Sequence, residues 1–319
     1  MAVYTKIDRQ MLESFLDNYN IGKLLSFEGI QEGVENSNYK LFMSTGLYIL
    51  TIFEKRVDEK DLPFFIQLKK HLVQKNFLCP KPISNKKGNY INYVKNKACI
   101  INTYLKGKKA SSITKNHCQQ LGQYLAIMHL KTEDFKLSRK NTLSQEYWKN
   151  LFEHFRYNNN IEYNKLFKKI NIEIDFLDKN WPKDLPSGVI HADAFQDNVF
   201  FDNNVFSGII DFYFACNDFY AYELAICINA WCFNSQYVLD TNKSTALLDS
   251  YQKNRKLLEK EQKAFPILLR GAAMRFLLTR FNDLIYHPEE AYVDPKDPME
   301  FFNILQFHQN NNFVSNIGF

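Results

Sequence analysis

The stretch VIHADAFQDNVFFDNNVFSGIIDF, Val189 to Phe212, constrains the fold more than any other part of the chain. Val199-Phe200-Phe201 and Phe206 to Ile210 read as strands, and Asp202-Asn203-Asn204 between them has the composition of a tight turn. A hairpin at this point brings its two ends together. His191, Asp193 and Asn198 precede the first strand and Asp211 ends the second, so both acidic groups are predicted to emerge at the same open end. A carboxylate, an amide and a second carboxylate are all oxygen donors, the set that Mg2+ takes while leaving positions to water or phosphate. Asp193 is then the group left to meet a hydroxyl. Taken singly, each of these residues is equally at home in a turn; the argument rests on their combined spacing.

At 319 residues the chain exceeds the ~250–300 at which single cores stop growing, which predicts two lobes. With 45% hydrophobic, 15% aromatic and 24% charged residues it can build both, and wholesale disorder is excluded. The net charge of +5 comes from scattered Lys and Arg, with no basic stripe of the kind a nucleic-acid partner needs. The N-terminal MAVYTKIDRQMLESF lacks an apolar leader core, and the longest apolar run, LAICINAWCF, falls short of the ~20 residues of a membrane span. Six cysteines without a C-x-x-C pair sit mostly in apolar segments and read as reduced thiols of a cytoplasmic protein. Small molecules are therefore the expected partners, and nothing in the sequence sets an oligomeric state.

Along the chain, Asp8 caps an opening helix with Leu12, Phe15, Leu16 and Tyr19 at helical spacing. Ser26–Gly29, Asn38–Met43, Tyr48–Phe53, Asn89–Val94 and Ala98–Tyr104 read as strands, around a helix at 61–74 that presents Phe65, Leu68 and Leu72 on one face. Cys79-Pro80-Lys81-Pro82 is read as stopping regular structure. After Leu105 the pattern turns helical, with Thr114 as a cap and further helices near 144–157, 161–180, 219–233, 244–255, 263–287 and 300–308. The division expected is a β-rich lobe at 1–104 ending in a linker, a helical lobe at 105–308 and a flexible tail at 309–319. A cleft between lobes is the usual place for a small ligand.

His-Ala-Asp-x-x-x-x-Asn, a hairpin and Ile-Asp-Phe together have the spacing of the protein-kinase catalytic loop and metal-binding aspartate. Ala192 replaces the usual arginine, Tyr213 follows Phe212 where a glycine is usual, and Asp218-Phe-Tyr-Ala-Tyr-Glu223-Leu-Ala comes soon after. In these details the chain resembles the aminoglycoside phosphotransferase and choline kinase-like superfamily of small-molecule kinases. The longer stretches MAVYTK, LLSFEGIQEGVENSNY, LPSGVIHAD, IDFYFACND, AICINAWCF and RGAAMRFLLTR are similar to the bacterial homoserine kinases of that fold, and the likeness runs from Met1 to about His308.

The resemblance implies an α+β, protein-kinase-like two-lobe fold, with a small antiparallel β-rich N-lobe and a larger, mainly helical C-lobe. It implies ATP as co-substrate, Mg2+, and phosphorylation of the L-homoserine hydroxyl to O-phospho-L-homoserine in threonine biosynthesis. Asp193 would orient the acceptor hydroxyl as catalytic base, His191 would brace the loop, and Asn198 and Asp211 would hold Mg2+. Glu223 would hold the loop backbone. An aspartate of ordinary pKa, about 3.9, is a weak base at pH 7, so positioning should outweigh proton removal.

Two parts depart from the kinase pattern. The phosphate-covering loop is expected within Gly29 to Tyr39, with Gly33, Asn36, Ser37 and Asn38 presenting polar groups to phosphate. The third strand should carry a lysine paired to a helix glutamate, yet Thr51 and Phe65 occupy those slots. Their joint loss is coherent, because one buried partner alone would cost several kcal/mol. Lys55, on the same strand face as Thr51, is the expected substitute, with Arg56 next to it. Thr103 and Leu105 mark the linker that meets adenine.

For the acceptor, Arg275 and Arg280 could take a carboxylate, Asp218 or Glu35 an ammonium, and Tyr213 or Trp231 could wall the pocket. Three other readings stay open at this level: a kinase for choline or an aminoglycoside, an inactive kinase-like nucleotide-binding module, and a metal-dependent hydrolase. The retained Asp193, Asn198 and Asp211 speak against inactivity, and no H-x-x-x-H pair supports a hydrolase.

Overall fold

The computed structural model describes residues 4–30, 36–54, 57–156, 163–286 and 294–311. Helix α1 (Arg9–Leu16) begins where Asp8 accepts the Met11 N–H at 2.8 Å, and it buries Leu12 and Leu16 as the spacing predicted. Strands β1 (Leu24–Gly29), β2 (Asn36–Met43) and β3 (Gly46–Phe53) then run antiparallel, the last two joined through the Met43–Gly46 pair. Helix α2 (Leu62–Gln74) carries Pro63 in its first turn and buries Phe65, Leu68 and Leu72. With β4 (Pro82–Ile83), β5 (Asn92–Val94) and β6 (Lys97–Thr103) the strands form a six-stranded sheet in the order β1-β2-β3-β6-β4, β5 adding to β6.

Strand β4 corrects the reading that Cys79–Pro82 stops regular structure. It pairs Pro82 with Asn102 at the sheet edge, where a missing N–H costs little. One sheet face packs Leu41, Leu50, Ile52 and Ile101 against Leu12 and Leu16 of α1. Each such side chain contributes about 1.5–3 kcal/mol on full burial.

The residues fall into two compact units. One takes the chain up to Gly107 and returns for Ser207–Tyr213; the other holds Lys108–Phe206 and most of the chain from Phe214 onward. The second unit contains α3 (Lys115–Lys131), capped by Thr114 through a reciprocal bond with His117, followed by α4 (Gln145–Arg156) and α5 (Asn164–Asn180). Strand β7 (Ser187–Ile190) leads into the loop of interest, and β8 (Val199–Asp202) and β9 (Val205–Ile209) form the predicted hairpin. Along β9 the chain passes into the first unit, where Ile209 N–H reaches the Leu78 carbonyl at 3.1 Å. Gly208 permits this approach: at φ +148° a Cβ there would stand 2.6 Å from that carbonyl oxygen.

Strand β10 (Cys216–Phe219) pairs antiparallel with β7 and runs directly into α6 (Tyr220–Trp231). The sequence predicted only a helix from 219. Four residues of mixed polarity carry no period of their own, and the partner strand is distant in sequence. Helices α7 (Thr241–Gln252), α8 (Glu259–Ile285) and α9 (Met299–Asn310) complete the unit. Helix α8 starts four residues before the expected 263 because buried Glu261 accepts the Leu258 N–H at 2.9 Å and pairs with Arg255 at 3.0 Å. The tail expected beyond Gln309 lies, past Asn311, outside the described residues. No described helix is long and apolar enough to cross a membrane.

Candidate active site

The loop after β7 is built around a buried anion. Glu223, in the first turn of α6 and fully buried, accepts the backbone N–H groups of both His191 and Ala192. Burial alone would raise its pKa, but the facing His129 and His191 and the loop N–H donors reverse that and hold it below the usual carboxylate range. His129 lies 4.0 Å away, too far for a hydrogen bond, and burial keeps it neutral at pH 7. The backbone N–H groups of His191 and Ala192 are the hydrogen-bond donors in contact with the anion. Glu223 thus braces the loop backbone, as expected.

Ala192 is held at φ +63°, a left-handed conformation that costs an alanine on the order of 1–2 kcal/mol. Both of its backbone poles are fixed: its N–H by Glu223 and its carbonyl by Arg275 Nη1 at 2.5 Å. Downstream, Trp231 Nε1 donates to the Ala194 carbonyl at 2.8 Å and Gln196 to the Ala230 carbonyl at 2.8 Å. Trp231 is therefore a loop brace, 1% exposed.

Within this frame Asp193 N–H donates to His191 Nδ1 at 3.3 Å, placing the histidine beneath the loop, fully buried. Asn198 donates to the Asp193 carbonyl at 2.9 Å and to its carboxylate at 3.0 Å. With the amide nitrogen committed to Asp193, the amide oxygen is directed away from it. Asp193 and Asn198 are therefore one hydrogen-bonded pair.

Asp211 belongs to the first unit, at the end of β9, exposed and at φ +60°, a conformation aspartate tolerates better than most residues. Two residues on, Tyr213 packs edge-on against Phe53 at 5.0 Å and Phe65 at 5.7 Å. Its hydroxyl is hydrogen-bonded with Thr51 and Asn102. The substitutions at the two ion-pair slots thus close on one aromatic side chain, which sequence reasoning had placed in the acceptor pocket.

One residue was missed. Lys69, four positions after Phe65 on α2 and 3% exposed, donates to Asn102 Oδ1 at 2.8 Å and lies 5.4 Å from the Tyr213 ring centroid. Burial pushes its pKa down to about 8, while Cys79 and Asp211 oppose the shift. Donor arithmetic orders a relay. Lys69 donates to the Asn102 oxygen, the Asn102 amide to Tyr213, Tyr213 to Thr51, and Thr51 to Asn38 Oδ1 at 2.8 Å. The signal was visible in the sequence as a lysine on the apolar stripe Phe65, Leu68, Leu72.

The other predicted residues divide. Gly33, Glu35, Lys55 and Arg56 lie outside the described residues. Asn36, Ser37 and Asn38 are in β2 instead of a loop, and buried Ser37 accepts the Tyr4 and Thr5 N–H groups at 2.9 Å and donates to Glu54, which fills its capacity. Thr103 pairs with Lys81 through backbone and side chain, and the Leu105 side chain flanks Gly208. Arg280 is taken up by Glu300 and the Asp297 carbonyl. Asp218 accepts from Asn141 and from the Phe219 N–H, both at 2.7 Å; burial raises its pKa, with those bonds and Arg275 opposing. Arg275, 2% exposed, lines a cavity of about 370 Å³.

The model of the phosphotransferase enzyme family matches residues 26–257. The chain is 48% identical to a homoserine kinase of Parvibaculum lavamentivorans over 97% of its own length and 96% of the relative's. It is 46% identical to that of Bartonella henselae over the whole of both chains. In fold it is similar to an amicoumacin kinase solved with AMP-PNP and Ca2+, at TM-score 0.74 and 15% identity over 95% of this chain and 93% of that one. A choline kinase from Cryptosporidium parvum aligns at TM-score 0.69 and 14% identity over 95% of each chain. The α+β kinase-like fold and the resemblance read from the sequence both hold: the chain belongs to the phosphotransferase enzyme family and, within it, to the homoserine kinases.

Proposed function

We propose that this chain transfers the γ-phosphoryl group of ATP to the side-chain hydroxyl of L-homoserine, giving O-phospho-L-homoserine and ADP on the route to threonine. The acceptor oxygen forms the new P–O bond, the bond between the γ-phosphorus and its bridging oxygen breaks, and the hydroxyl proton leaves through Asp193. The observation that carries this reading is the Asp193–Asn198 pair, held by the Glu223 carboxylate beneath the loop backbone. Asp193 orients the hydroxyl, and the fixed loop spares the orientation cost at the moment of reaction.

Asn198 and Asp211 suit Mg2+, since an amide oxygen and a carboxylate are hard donors that leave positions to phosphate. Bound there, the ion would neutralise charge developing on the phosphates. Among the described residues no group of three or more His, Cys, Asp or Glu could hold a metal by itself. Lys69 supplies the buried cation that the third strand lacks, acting beside Asp211 and Tyr213. Gly33 remains assigned to the phosphates, and Thr103 and Leu105 to the adenine, from the family pattern, and Lys55 to the phosphates as the candidate substitute where the chain departs from it. The six cysteines, all free and buried, suit a reducing cytoplasm.

The test is ADP release with L-homoserine, L-serine, choline and an aminoglycoside as acceptors. Turnover with L-homoserine above all others is expected. Turnover of choline or the aminoglycoside instead would replace the acceptor, and nucleotide binding without any turnover would make the chain an inactive module.

A further inference from the structure

Ala192 is the strained residue of the loop, left-handed at φ +63° immediately before Asp193. Asparagine or aspartate in that conformation can brace itself with a local side-chain hydrogen bond, and alanine has no such group. Its conformation therefore has to be imposed from outside, and an error there swings the next side chain, the Asp193 carboxylate, off its target. Glu223 holds the Ala192 N–H at 3.1 Å, and the Ala192 carbonyl accepts from Arg275 Nη1, 83 residues later on α8.

The guanidinium is itself held in place. It hydrogen-bonds the Tyr222 hydroxyl, and Asp218 of β10 is near enough for the two charges to act on each other. Asp218 is in turn fixed by Asn141 and by the Phe219 N–H, both at 2.7 Å. The Phe276 and Phe214 rings lie 4.6 Å and 5.7 Å from the guanidinium carbon. Arg275 is 2% exposed and Tyr222 is fully buried. A buried cation is costly unless it is paired, and the planar donors of this one reach a hydroxyl and a loop carbonyl beside a carboxylate charge.

Resting on the reading of the chain as a homoserine kinase, we propose that Arg275 is the positioning residue for Asp193: it holds Ala192 left-handed through the carbonyl and so aims the carboxylate at the acceptor hydroxyl. In this role Arg275 touches neither acceptor nor nucleotide, and its effect reaches the reaction through Ala192. Tyr222 and Asp218 set the guanidinium and belong to the same support. The sequence offers Arg275 and Asp218 for the carboxylate and ammonium of the acceptor; here their charges answer each other instead.

The experiment measures ADP release with L-homoserine for Arg275→Met, alone and combined with Ala192→Gly. Arg275→Met is expected to lower kcat ~10–100-fold while the KM values for ATP and L-homoserine stay within ~2-fold, the mark of lost orientation. A rise in the KM for L-homoserine with kcat retained would make Arg275 an acceptor-binding group and overturn the proposal. Glycine adopts the left-handed conformation without the cost that alanine bears, so in the Ala192→Gly background loss of the arginine should reduce kcat about tenfold less than in the wild type. Equal losses in both backgrounds would mean that Arg275 acts by packing, which sinks the assignment. Tyr222→Phe removes one hydroxyl, leaves the Arg275–Ala192 bond, and serves where Arg275→Met does not fold. Its kcat should fall ~3-fold with both KM values kept, and an unchanged kcat counts against the proposal. Amide hydrogen exchange over residues 190–198 needs no turnover. It should quicken in both variants, and unaltered exchange overturns the positioning role whatever the chain phosphorylates. A wild type that turns over no acceptor defeats the homoserine kinase reading, an outcome separate from the exchange result.

Discussion

Glu223 in the helical unit and Lys69 in the sheet-bearing unit are both buried charges, and they are kept charged by different surroundings. Glu223 accepts two backbone N–H groups from the loop it supports. Lys69 has a single neutral amide oxygen at 2.8 Å, an aromatic ring at 5.4 Å and the charge of Asp211 nearby. The anion is therefore part of the backbone scaffold, whereas the cation is part of a side-chain relay. Removing the first should damage the fold, and removing the second should damage the chemistry.

Glu223→Ala is the largest break. It leaves the N–H groups of His191 and Ala192 without acceptors at about 1–3 kcal/mol each, so denaturant unfolding should show a loss of several kcal/mol; a loss below 1 kcal/mol would mean the loop is held by something else. Asp193→Asn should leave the unfolding midpoint near the wild type while kcat falls ~10²–10⁴-fold. A fall in stability comparable to that of Glu223→Ala would blur the distinction between scaffold and catalytic group. Lys69→Met should lower kcat about tenfold with unfolding free energy within ~1 kcal/mol, because losing the Asn102 bond is offset by no longer burying an ammonium. Unchanged kcat would reduce Lys69 to packing.

The smallest effect concerns a third buried group, one that stays neutral. His308 on α9 bonds Asn229 at 2.7 Å, and burial, with Arg270 nearby, pushes its pKa down to about 3. Between the unfolded value near 6.5 and that folded value the unfolded chain binds the extra proton, so stability falls as pH drops, by at most ~1.4 kcal/mol per unit. Unfolding measured at pH 7.5 and 5 should show this slope, and His308→Gln should flatten it. A slope unaltered in the variant would shift the effect to His129, which burial also keeps neutral.

Much of the chemistry was legible because its spacing is short. His191, Asp193, Asn198 and Asp211 lie within a loop and one hairpin, and local turn chemistry fixes how such residues are presented. The caps at Asp8 and Thr114 and the face of α2 were legible for the same reason. Asn36 and Ser37 were misplaced because polar residues suggested a loop, while pairing with Phe53 and Ile52 made them buried strand residues. Arg280 looked as suitable as Arg275 until Glu300, twenty residues on, took it up.

By itself, then, the sequence determined the reaction class and the order of helices and strands, since both follow from periodicity and from residues close together along the chain. Only the tertiary structure decided which charges are buried and what faces them. It assigned Lys69 to Asn102, turned Tyr213 onto Thr51 and Phe65, and set Arg275 on the Ala192 carbonyl. Those outcomes depend on partners distant in sequence, and the cost of burying a charge or a donor is set by its final neighbours, not by its position in the chain.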